Sequence, residues 1–137
     1  MVLPRPDLDG LRLIEPGKSD VWLVIRGERR HVASTEVYDG FWSEVTGLVP
    51  YEGLEWIARG PDLSQGACLV RADGSLSIHL VARAEGGTVL RHFIPTYESF
   101  LDFGFDEAKV RSLPFLVLEG VEEGFELTSA GDRAARG

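Results

Sequence analysis

The chain has 137 residues, of which 44% are apolar and 26% charged, with a formal net charge of −8. Such values suit one ordinary domain or two very small ones, and exclude collagen-like, coiled-coil and wholly disordered chains. The acidic balance argues against nucleic acid and anionic membrane as partners, since both would be repelled.

The elements follow in chain order. Leu11–Ile14 reads as a short strand, and Glu15–Asp20 as a turn because of its Pro16-Gly17 pair. Val21–Arg26 is rich in β-branched and aromatic residues and predicts a strand. Gly27-Glu28 fits a two-residue type II′ hairpin loop, returning through Arg29–Val32. Ser34 or Thr35 can cap a helix whose apolar face holds Val37, Tyr38, Phe41 and Trp42. A short strand over Thr46–Val49 and a second helix opening at Pro50-Tyr51 follow, stopped by Gly60-Pro61.

The second half repeats that order. Asp73-Gly74 joins Cys68–Arg71 to Leu76–Arg83, and Glu85-Gly86-Gly87 turns into Thr88–Ile94. Thr96 caps a helix carrying Tyr97, Phe100 and Leu101. Val110–Leu113 and a helix over Phe115–Glu122 complete it.

An internal repeat accounts for the parallel order. At a shift of 64, Pro50–Leu63 faces Pro114–Leu127 with five of fourteen positions identical. At a shift of 62, Arg29–Tyr38 faces Arg91–Phe100, with Phe41 on Phe103. Residues 1–66 and 67–137 each hold seven basic and eleven acidic side chains. The expected fold class is therefore α+β. It consists of two tandem β-rich repeats, 10–63 and 67–127, built of antiparallel hairpins and short helices around one shared core. A half of about 60 residues is marginal alone, which is why a shared core is expected. Residues 128–137 read as a disordered tail.

Val21–Val24, Gly27–Glu36 and Val37-Tyr38 resemble a short repeat of bacterial secreted and cell-surface proteins. That repeat runs from a hydrophobic strand through a Gly-Lys-Arg-type hairpin and a His-Ile-Pro-Ser segment into a Glu-Val-Phe helix. Phe93–Thr96, Glu98–Phe100 and Phe103–Phe105 are similar to the same pattern. Ala33 stands at the proline position in the first half, and Phe93 at the histidine position in the second. The resemblance implies a binding or spacer module rather than an enzyme, without an agreed ligand.

Candidate chemistry is sparse. Cys68 stands alone in an apolar run, so no intrachain disulfide forms and a core thiol is expected. His31, His79 and His92 lack zinc-site spacing, and no metal or cofactor is expected. No nucleophile elbow, phosphate loop or dinucleotide fingerprint is present. Arg, His and aromatic residues do recur at the hairpin-to-helix junction of both halves. These are Arg29, Arg30, His31, Tyr38 and Trp42 in the first, and Arg91, His92 and Tyr97 in the second. Guanidinium forks recognise carboxylates and polar oxygens, and aromatic rings stack on sugars or partner side chains. The leading expectation is a non-catalytic binding module for a glycan or protein partner. A small hydrolase or lyase using His31 or His92 with a carboxylate is one alternative, and a self-associating structural subunit is another. The N-terminus carries no signal-peptide stretch, so a complete chain would be cytoplasmic, whereas a segment of a larger protein could stand at the cell surface.

Overall fold

The computed structural model describes residues 1–137. It is α+β, with nine strands in two sheets and four short helices. The first sheet contains β1 (Arg12–Ile14), β2 (Val21–Ile25), β3 (Glu28–His31) and β4 (Leu48–Pro50), in the order β3-β2-β1-β4. Helix α1 (Thr35–Asp39) separates β3 from β4. The second sheet contains β5 (Cys68–Ala72), β6 (His79–Arg83), β7 (Val89–Phe93), β8 (Arg111–Leu113) and β9 (Glu122–Glu123), in the order β8-β5-β6-β7-β9. Helices α2 (Tyr97–Asp102) and α3 (Phe115–Glu119) flank β8, and α4 (Ala130–Arg136) ends the chain.

The two sheets are connected alike. In each, the first two strand pairs are antiparallel, and the strand after the helix returns parallel to the first strand. The β7–β9 pair has a reduced counterpart in parallel bridges from Arg29 to Arg59 and from Val32 to Leu63. Hydrogen bonds match position by position. Leu63 N–H donates to His31 O at 2.9 Å, and Leu127 N–H to Phe93 O at 2.8 Å. Arg29 Nε donates to Ile57 O at 3.0 Å, and Arg91 Nε to Val121 O at 2.8 Å.

The first hairpin differs from the expected Gly27-Glu28 loop. Ile25 pairs with Glu28, so Arg26-Gly27 forms the turn, with φ of +53° and +81°. Two positive φ values are the pattern of a type I′ turn, whose twist suits the flanking strands. The Gly27 N–H is held by Asp9 Oδ1 at 2.7 Å. The helix caps fall as expected: Ser34 Oγ accepts from Val37 N–H, and Thr96 Oγ1 from Ser99 N–H. Pro50-Tyr51 opens no helix; a 3₁₀ turn forms later, over Leu54–Trp56.

One core serves both halves. Leu23, Ile25, Phe41, Trp42 and Leu63 pack with Leu69, Leu80, Phe100, Phe103, Phe105 and Leu127 in a single cluster of 15 buried residues. Trp42 is 1% exposed, and its Nε1–H donates to Phe103 O at 2.8 Å. A smaller cluster, Leu13, Val24, Leu54 and Ile57, covers the other face of the first sheet.

The C-terminal stretch departs from the expected disordered tail at 128–137. Ser129 caps α4 by accepting from Asp132 N–H. Asp132 Oδ2 accepts from Thr96 Oγ1 at 2.6 Å and Ser99 Oγ at 2.8 Å, which fastens α4 onto α2. Arg136, with these two hydroxyls, holds the Asp132 carboxyl well below the ordinary carboxylate range. Arg133 reaches Asp9 at 2.8 Å and so ties the tail to the first half. A polar composition hid this helix, because its anchors are hydrogen bonds rather than an apolar stripe.

Trp42→Ala removes a buried ring and its indole hydrogen bond at the seam between the halves. It should destabilise the protein by about 3–5 kcal/mol, whereas Trp56→Ala, at an exposed position, should change stability little. Urea melts of the two variants check this; equal losses would contradict the placement of Trp42.

Candidate functional site

Side-chain direction follows from strand register. On β3, Arg29 and His31 lie opposite Val24 and Trp22, while Arg30 lies opposite Leu23. Leu23 belongs to the shared core, so Arg30 points inward and His31 outward. On β7, His92 lies opposite the core residue Leu80 and likewise points inward.

The outward residues build a cleft. Trp22 and His31 form a cross-strand aromatic pair with ring centroids 5.0 Å apart. Arg29 lies over the Trp22 ring at 4.4 Å and Arg59 at 5.1 Å. Asp20, at the end of the β1–β2 turn, places Oδ1 3.2 Å from His31 Nε2. The chain then turns at Ala33 into α1, whose first residues expose Ser34 and Thr35. Tyr38 follows one turn later. Asp20, His31, Ser34, Thr35 and Tyr38 rim a cleft of about 560 Å³ with an apolar floor of Ile14, Val21, Val32 and Leu48. Lys18 stands at its mouth and is also part of a shallower recess under Trp22 and Arg29.

The eight residues singled out from the sequence do not form one surface. His31 and Tyr38 share the cleft. Arg29 is half-buried, with Nε bonded to Ile57 O and the guanidinium on Trp22. Arg91 makes the same backbone bond far from the cleft, to Val121. Three others are corrected as contact residues because the core buries them. Trp42 is sealed at the seam, Arg30 is 5% exposed and His92 is 3% exposed. The alternation of strand side chains places them there, and the sequence motif alone does not reveal which face is inward. Arg30 Nε is buried without a hydrogen-bond partner. Desolvation lowers the Arg30 pKa, and the nearby Glu28 charge opposes that shift. Tyr97 is 59% exposed and stacks on Phe100.

His31 and His92 therefore do not converge. His92 Nδ1 donates to Phe125 O at 2.9 Å, and its ring lies 4.1 Å from Phe125. Burial pulls the His92 pKa down, and the neighbouring Arg30 and Arg26 charges pull the same way. Burial likewise lowers His79, with Arg91 adding to it. No group of three His, Cys, Asp or Glu side chains is placed to hold a metal ion, and no helix is long and apolar enough to cross a membrane.

Arg12 is the residue that sequence reasoning missed. It is 8% exposed and has no carboxylate partner. Nη1 donates to Tyr38 Oη at 2.7 Å and to Glu44 O at 3.1 Å, and Nη2 to Thr46 O at 3.0 Å. Its guanidinium lies 5.3 Å from the Trp42 ring. The available signal was a charge at an inward position of a predicted apolar strand. Tyr38 lines the His31 cleft and accepts from Arg12, which lines a second groove. A further cleft of about 560 Å³ between α1 and the loop before β5 touches Cys68. Burial pushes that thiol pKa up, away from nucleophilic use.

Chemically, the His31 cleft offers polar donors and acceptors above an apolar floor. His31 has a carboxylate neighbour, but the adjacent Ser34 hydroxyl is engaged as a helix cap. Comparison with protein-family models, with curated proteins and with solved structures finds no match for this chain.

His79 and His92 favour their neutral forms in the folded protein. An unfolded histidine takes up its proton near pH 6.5, before the folded one does. Their neutral burial is therefore harmless above that pH, and stability is lost as pH falls through it. Thermal melts from pH 8 to 5 should show this decline, with a shallower slope in His92→Gln. A variant slope equal to that of the parent would contradict the role of His92.

Proposed function

We propose that the chain is a non-catalytic binding module whose hairpin-to-helix junction in the first half receives a glycan or an extended protein segment. The observation that carries this reading is the cleft of about 560 Å³ rimmed by His31, Asp20, Ser34, Thr35 and Tyr38. Its size falls within the range of small-ligand sites, roughly 300–1,000 Å³, and its apolar floor with few polar groups has their usual make-up. The matched hydrogen bonds of the two halves support a duplicated scaffold, in which the cleft is the specialised part.

Screening against glycan and peptide arrays tests the proposal. Binding by the parent protein should weaken about tenfold or more in His31→Ala and Thr35→Ala, the loss of one or two good contacts. Both side chains lie at the surface of the cleft, so melting temperatures should stay near the parent value. Binding unaffected by either change would refute the site.

A hydrolase or lyase is the second reading, favoured by the 3.2 Å contact between His31 Nε2 and Asp20 Oδ1. It requires a turnover that His31→Ala and Asp20→Asn abolish. Ligand recovered unchanged after long incubation with the parent protein rules it out.

A further inference from the structure

The groove lined by Arg12 lies where the two halves meet. It encloses about 380 Å³. The three hydrogen bonds of Arg12 all go to neutral acceptors: one phenol and two backbone carbonyls. They engage both N–H groups of Nη1 and one of Nη2, leaving Nε and the second N–H of Nη2 without a protein acceptor. Gly104 stands against these two nitrogens. A Cβ at that position would lie 2.9 Å from Nη2 and 3.5 Å from Nε, so the bare glycine keeps the space beside them open. The φ of +75° at Gly104 disfavours any other residue there.

Two further features face the same groove. Tyr97 contributes a ring stacked on Phe100 at 6.0 Å with an interplanar angle of 11°, and Tyr97 is largely exposed. Glu44, Asp106 and Glu107 supply carboxylates at its edge. The Asp106 Oδ1 accepts from Ala108 N–H, which fixes that carboxyl in place.

We infer that this groove is a second binding site, and that its ligand is a neutral sugar ring. A pre-oriented pair of guanidinium N–H donors, fixed carboxylate acceptors and an exposed aromatic face are the complements of adjacent hydroxyls and of an axial C–H face. An anionic ligand would meet three carboxylates against one guanidinium. A purely apolar ligand would strip water from Arg12, Asp106 and Glu107 without returning hydrogen bonds. The volume admits one or two pyranose rings and no folded partner. The inference is independent of the His31 cleft, and the two sites can be separated by mutation.

The experiment is a titration of the ¹⁵N-labelled protein with glucose, galactose, mannose, N-acetylglucosamine and their disaccharides, with glucuronate as the anionic comparison. At least one neutral sugar should move the Gly104 amide and the Arg12 Nε–Hε signal with one saturable constant. Tyr97→Ala should weaken that constant roughly tenfold, the upper range for a lost aromatic face. Its melting temperature should be retained because Tyr97 is exposed and makes no hydrogen bond. The Gly104 and Arg12 signals report this groove alone, because neither residue lines the His31 cleft, which keeps the fate of the two sites separate. The inference fails if no neutral sugar moves either signal, if Tyr97→Ala binds as the parent does, or if glucuronate binds more tightly than the neutral hexoses.

Discussion

The hydrogen bond from Trp42 Nε1 to Phe103 O sits at the one place where neither half can be complete alone. Phe41, Trp42 and Phe105 pack with tilted rings at 5.4–5.7 Å, with Phe100 edge-on to Phe105 and Phe103 stacked against it. The first half contributes strands of three to five residues and one helix of five, and the second strands of two to five and helices of five to seven, too little in either case to bury its own apolar side chains. Joining the halves through an aromatic seam removes both inner sheet faces from water at once. The Asp106 N–H to Phe41 O bond closes the same seam from the second half. The indole needs an acceptor when buried, and a backbone carbonyl of the opposite half supplies it, which sets the register between the halves as well as their attraction.

The seam also explains Arg12. A cation that is 8% exposed without a carboxylate partner would ordinarily be costly to bury. Here the Trp42 face, a phenol and two carbonyls replace its hydration, and Gly47 and Gly104 allow the backbone to approach it closely. A charge thereby becomes part of the joint, and a groove with fixed donors follows from the packing. The His31 cleft arises differently. It depends only on the outward face of the first hairpin and the capped start of α1, so it belongs to one half.

Much of the fold was legible because local chemistry and tertiary structure agree. Asp73-Gly74 marks a turn, though the β5–β6 pairing starts only at Val70 and His79 and so leaves a longer loop than the expected two-residue hairpin; Ser34 and Thr96 cap helices, and the β-branched run Val21–Ile25 is a central strand. The α+β class and the shared core followed from these elements and from length. The candidate site was less legible, since a motif does not state which face of a strand is inward. Arg30 and His31 are adjacent, yet one is sealed and the other rims a cleft, and that difference rests on pairing with Leu23 or with Trp22. Trp42 looked like a contact residue because the expected helical face joined it to Tyr38, whereas α1 ends at Asp39 and Trp42 turns into the seam. Only the seam distinguishes them. The C-terminal helix was hidden for another reason: Ser129, Asp132 and Arg133 hold it through partners far away in sequence.

Register makes the two halves comparable residue by residue, and the comparison locates specialisation. Leu23 pairs with Arg12 and Arg30, whereas its counterpart Leu80 pairs with Leu69 and His92. Trp22 opposite His31 corresponds to His79 opposite Phe93. The backbone arrangement is alike, but the first half sets Arg12 and Arg30 on either side of its central Leu23, pairs Trp22 with His31 and leaves its helix start open. In the second half, α4 covers the equivalent helix start, with Asp132 taking the Thr96 and Ser99 hydroxyls. The second half fills its junction with buried side chains and covers it with α4, whereas the first leaves its helix start exposed.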